Sequence, residues 1–207
     1  MNRTRAVVAS VALALGMACS AQTTETGVWR SPAYAAGPMK SVVVFGGRLS
    51  GPERHLVEDG YATALAARGV RATPSYALFP DEQQPAPEPS AIRAKLLSEG
   101  YDGALVSTLQ GASDRILLST GADWDAGFYS AYSGPSPMPT AVDQVVRFET
   151  ALWSTRSGRM VWSATTATEN PTSRRDFASS LTRTVVPSLT DAGMIPARPG
   201  QPVSLLR

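Results

Sequence analysis

The chain holds one imidazole, His55, and one thiol, Cys19. Nucleophilic and metal chemistry therefore have few groups to draw on. His55 follows Glu53-Arg54 in a charged stretch, where a solvated surface side chain is expected. A Ser-His-Asp triad would need this histidine, and no Gly-x-Ser-x-Gly elbow accompanies it. One His and one Cys exclude multi-His metal sites, Cys-rich zinc sites and an intrachain disulfide framework. Gly46-Gly47-Arg48-Leu49-Ser50-Gly51 follows a predicted strand and opens a predicted helix, where phosphate loops sit. Its spacing fits neither the dinucleotide nor the Walker pattern, so a flexible turn is expected. Asp123 and Asp125 flank Trp124, with Asp114 upstream. They lack the regular spacing and terminal Glu of a calcium loop, and only composition supports them as a glycosidase acid pair. The expectation is no catalytic residue, no metal and no cofactor.

Two other groups of residues carry more. Trp124, Phe128, Tyr129 and Tyr132 fall within nine residues, a density that interfaces enrich. They are candidate contacts for a partner or glycan; covering a sheet edge or face is the alternative. Cys19 ends an uncharged apolar run, Ala6 to Ala18, that follows Arg3 and Arg5. A basic start, a short apolar run and small residues form the layout of a secretory signal peptide. The run is too short for a bilayer core that needs roughly 20 helical residues.

This segment resembles a bacterial lipoprotein signal. The match is Leu15-Gly16-Met17-Ala18-Cys19, with Gly16 where the lipobox leucine usually stands. The resemblance implies cleavage before Cys19, lipidation of its sulfur and amine, and three acyl chains. Two or more chains anchor stably where one does not. Ser20, rather than Asp, after the Cys implies an outer-membrane destination. Ordinary cleavage after Ala21 would instead leave a soluble periplasmic protein. Removing residues 1–18 takes two arginines and no acid, leaving 17 basic and 17 acidic residues. The basicity of the full chain thus belongs to the signal. The electrostatic footprint of a nucleic-acid binder is missing.

Stepwise along the remaining chain, residues 19–27 are expected to be lipidated Cys and a polar tether, 28–195 a single domain, and 196–207 a flexible tail. Residues 28–38 read as an irregular lead-in. Ser41 to Phe45 is a β-branched buried strand. Ser50 to Arg68 is a helix with a Ser50/Glu53 capping box and a Gly69 stop. Val70 to Leu78 is a strand that Pro74 marks as an edge. Ser90 to Glu99 is a helix capped by Ser90, and Gly103 to Leu109 a third strand. Val142 to Ser154 and Arg159 to Thr168 alternate about the turn Thr155-Gly158, making a hairpin. There Trp153 and Trp162 could pair. Ser173 to Ala192 is a final amphipathic helix, which Pro187 could kink. The class is α/β: a mixed sheet with a β-α-β-α-β start, an antiparallel hairpin and a C-terminal helix packed on the sheet.

Two patches carry a wider resemblance. One is Val28-Trp29-Arg30-Ser31-Pro32-Ala33-Tyr34 followed by Lys40-Ser41-Val42-Val43-Val44. The other is Thr155-Arg156-Ser157-Gly158-Arg159-Met160-Val161-Trp162-Ser163. With the element order of residues 28–192, they resemble bacterial envelope lipoproteins, including domain-of-unknown-function families. The order is similar to the periplasmic α/β domain of curli-secretion-type lipoproteins, penicillin-binding-protein-activator lipoproteins and the amino-terminal domain of TolB. That resemblance implies a non-enzymatic adaptor or assembly factor, facing the periplasm from the outer membrane, with an envelope-protein or cell-wall partner. A periplasmic cell-wall hydrolase, with Asp114, Asp123, Asp125 or Glu149 in a pocket, is the alternative. So is a peptide or small-ligand binder at an open sheet edge.

Overall fold

In the computed structural model, residues 21–49, 51–80, 87–111, 145–169 and 171–197 are described. All seven residues of β2 (Ser41–Gly47) and all seven of β4 (Gly103–Leu109) are buried. A strand buried on both faces needs cover on both. Helices α1 (Gly51–Ala66) and α3 (Arg174–Asp191) supply it on one face and α2 (Pro89–Ser98) on the other. Alternation sorts the side chains. Val42, Val44 and Leu105 pack with Tyr61, Leu65, Leu181 and Val185. Val43, Phe45, Ala104 and Val106 pack with Ile92, Leu96 and Phe79 on the opposite side.

The other strands are β1 (Gln22–Arg30), β3 (Arg71–Pro74), β5 (Val145–Ser154) and β6 (Arg159–Glu169). The sheet order is β1-β6-β5-β4-β2-β3. β3, β2 and β4 run parallel, and β4, β5, β6 and β1 are successively antiparallel. The predicted mixed sheet, hairpin and packed C-terminal helix are all present. β3 lies at the edge and ends at Pro74, which has no N–H to extend a ladder. The chain then makes a 3-10 turn over Ser75–Ala77, so the strand predicted to Leu78 is shorter.

Three sequence expectations are corrected. The predicted tether and lead-in form β1, an edge strand paired with β6 through a bulge between Glu25 and Gly27. An edge strand with an exposed face is polar and reads as linker. Its threonines bond across the pair instead: Thr23 to Thr168 at 2.8 Å and Thr26 to Thr165 at 3.1 Å. Regular structure therefore includes Gln22–Gly27, and Ala21 ahead of it is only 4% exposed. Trp153 and Trp162 do not pair. A bulge after Leu152 sets Leu152 opposite Trp162 and Trp153 opposite Met160. The two indoles enter opposite cores. Ser90 does not cap α2: Glu88 occupies the cap position and Pro89 the first turn, whose missing N–H costs nothing there.

Gly103, which opens β4, marks a close approach. A Cβ there would meet Met39 Sδ at 2.5 Å and the Trp153 carbonyl oxygen at 2.6 Å. Gly103→Ala should lower the unfolding free energy by about 1–3 kcal/mol through overpacking, as read by urea denaturation.

Candidate functional site

The crossover β2-α1-β3 covers one face and β3-α2-β4 the other. α/β sheets bind ligands outside the carboxyl ends of their strands, and here residues at the ends of β2 and β4 adjoin the starts of α1, β5 and α3. An apolar cavity of about 320 Å³ lies at that end. Leu49, Leu56, Leu109, Val146, Phe148 and Phe177 line it. The Phe148 and Phe177 rings contact each other at 4.9 Å between centroids. Glu53 and Arg174 also line it and form an ion pair at 3.1 Å, with the Arg174 side chain mostly exposed. Such a lining suits an apolar group held beside a single charged pair. Sequence reasoning missed this groove because its residues come from the ends of five separate segments. The only signal was apolar residues persisting to the ends of the predicted strands and helices.

The turn that closes one side of the groove is tied down by a buried ion pair. Glu58 is fully buried. Its Oε1 accepts from the Gly46 N–H at 2.8 Å, Arg54 Nε at 2.9 Å and the Ser75 hydroxyl at 2.6 Å. Its Oε2 accepts from the Tyr76 N–H at 3.2 Å. Arg54 Nη2 donates to Ser75 Oγ at 2.7 Å and to the Phe79 carbonyl at 3.3 Å. Burying a charge is costly unless it is paired and hydrogen-bonded, and both conditions hold. The network locks β2, α1 and the 3-10 turn together. Arg48 completes the turn at φ 55°, a left-handed conformation that costs a side-chain-bearing residue about 1–2 kcal/mol. Glu58 thus holds Gly46 at the head of this turn; Ser50, the expected cap, lies outside the described residues. His55 is half-buried and stacks on Tyr76 at 4.1 Å, which corrects the expectation of a solvated side chain.

Glu149 projects from β5 on the face opposite Val146 and Phe148, since side chains alternate along a strand. It therefore points away from the groove. Gln110 Nε2 donates to its Oε2 at 2.9 Å. Burial raises its carboxyl above the ordinary glutamate value, and the Arg48 charge partly offsets this. Cys19, Asp114, Asp123 and Asp125 lie outside the described residues, as do Trp124, Phe128, Tyr129 and Tyr132. Among the described residues, no three His, Cys, Asp or Glu side chains gather as metal ligands.

A second junction lies at the same end of the sheet. The Ala21 N–H donates to Asp176 Oδ2 at 2.9 Å, and Ser180 Oγ donates to the Ala21 carbonyl at 2.7 Å. Thr23 Oγ1 donates to Ser180 Oγ at 2.8 Å. Hydrogen bonds from Ala21 and Thr172 hold the Asp176 carboxyl below its usual range. Ser173 caps α3 by accepting from the Asp176 N–H at 3.0 Å. The Ser173-x-x-Asp176 spacing is a legible capping signature, but its use by residue 21 is a long-range pairing that spacing does not show.

No family model matches the chain, and no curated protein matches it. Among solved structures, it is similar to the PelC dodecamer from Paraburkholderia phytofirmans. Identity is 18%, the TM-score is 0.45, and 84% of this chain aligns with 98% of that one. A leucine-to-methionine variant of the same dodecamer gives 18% identity and a TM-score of 0.46, covering 86% and 99%. A likeness this distant assigns no activity.

Glu58→Ala would leave Arg54 buried without its carboxylate and should cost about 3–5 kcal/mol, measurable by chemical denaturation. Glu149 gives a pH signature. Its raised folded pKa means that the folded chain keeps a proton the unfolded chain has already lost. Its charge therefore opposes folding once pH exceeds the folded value, and acid relieves the penalty. Glu149→Gln keeps an acceptor for Gln110. It should be more stable than the parent at neutral pH, with the gain fading in acid, as followed by urea midpoints across pH.

Proposed function

We propose that this chain is a non-enzymatic envelope lipoprotein, anchored through Cys19 and acting as an adaptor or assembly factor facing the periplasm. It would stand with the curli-secretion-type and penicillin-binding-protein-activator lipoproteins that its element order resembles. The observation that carries this reading is the position of Cys19. It follows a signal-type apolar run and stands two residues before Ala21, which is buried against the domain. A thiol placed there is suited to an anchor. Among the described residues, no helix is long and apolar enough to cross a membrane. The crevice is lined for contact: its walls are mainly apolar, and its one ion pair is self-compensated. Glu149, the one described carboxylate of the hydrolase alternative, faces away from it.

Cys19→Ala should move the protein from the membrane fraction to the soluble fraction of fractionated cells. Retention of the variant in membranes would overturn the anchor.

The groove favours a second reading alongside the first, in which the crevice accepts an apolar ligand or peptide side chain. A naphthalene sulfonate dye should then brighten on binding the purified protein. Leu56→Arg, at a half-buried position on the wall, should abolish that signal without shifting the thermal midpoint. An unchanged signal would remove the groove as the binding place.

A further inference from the structure

We infer that the lipid anchor clamps the domain onto the bilayer, so that one defined end of the sheet, the end carrying the apolar groove, lies against the phospholipid surface. This rests on the lipid-anchor reading of Cys19 and goes beyond it. A long polar tether would let a domain wander and turn. Here the chain is bound from Ala21 onward, by Asp176 and Ser180 on α3 and then by the ladder to β6. Between Cys19 and Ala21 stands Ser20 alone, and two residues at full extension span at most about 7 Å. The end of the domain that holds Ala21 is therefore within about one Debye length of the headgroups, roughly 8 Å at physiological salt.

Among the described residues, the sheet register shows which share that end. Gln22 pairs with Glu169, and Glu169 with Val145. Pro171, Ser173, Arg174 and Phe177, at the start of α3, wall the groove there. The opposite end carries the hairpin turn with Arg156 and Ser157, one full strand away. β6 has eleven residues, which at about 3.3 Å each separate the two ends by roughly 35 Å. In the first turn of α3, Arg174 and Arg175 are exposed; Arg174 pairs with Glu53, and Asp176 answers the helix dipole. Arg175 is the cation there that lipid phosphates would meet. The partner of this surface is thus a phospholipid bilayer, met in one orientation that the short connection imposes.

The test uses the full lipidated chain in phospholipid vesicles bearing an acceptor dye on the headgroups. Acylation occupies Cys19, so a donor dye attaches only at an introduced thiol, Arg175→Cys or Ser157→Cys. Energy transfer should be several-fold stronger from position 175 than from 157. A long Gly-Ser insert between Ser20 and Ala21 should bring the two signals together. Equal transfer from both positions, in protein that is acylated and vesicle-bound, would overturn the clamp and leave the anchor standing. A difference that survives the insert would also overturn it, because the connection would then not set the orientation. Absence of acylation by mass spectrometry would overturn both the clamp and the anchor.

Discussion

Burial of every residue in β2 and β4 is the constraint from which the architecture follows. Their Val, Leu and Phe side chains gain about 1.5–3 kcal/mol each on full burial, against about 1–2 kcal/mol per residue for ordering the backbone. That gain is available only if both faces are covered, so α1 and α2 must pack on opposite sides. The crevice lies at the C-terminal ends of these strands, between the first turns of α1 and α3. The antiparallel strands β5, β6 and β1 extend the sheet, and α3 returns to seal the face that α1 only partly covers.

Two carboxylates near the crevice end of this frame gather backbone N–H groups, as Asp102 does for Lys40 and Ser41 at the far end. Glu58 gathers the Gly46 and Tyr76 N–H groups, and Asp176 gathers those of Ala21 and Thr172. Each spends its lone pairs on backbone that would otherwise be unsatisfied. Neither is presented to the crevice. The polar chemistry of the described residues thus holds the shape of the groove while its walls remain apolar.

Most of the frame was legible in the sequence because its signals are local. The SVVVF run, the Gly69 stop and the alternation about Thr155–Gly158 each report burial or a turn within a few residues. What escaped depends on distant partners. Gln22–Arg30 is polar and reads as linker until β6 is placed beside it. Trp153 and Trp162 look like cross-strand neighbours until the bulge after Leu152 is known. Arg54 and Glu58 look like a solvated helix face, and only the 3-10 turn at Ser75 explains their burial. The groove was illegible for the same reason, since Leu49, Leu109, Val146 and Phe177 meet only after folding. The candidate contacts Trp124, Phe128, Tyr129 and Tyr132 remain known from sequence alone.

The closure of the sheet by its first strand has a consequence in time. Among the described strands β1 pairs only with β6, and the Ala21–Asp176 bond just ahead of it joins residues 155 positions apart. Contacts that distant are slow to form and cannot precede the synthesis of their second half. A nascent chain would hold β1 unpaired until β6 and the first half of α3 had followed it. The strand that completes the sheet is thus among the first made and the last placed.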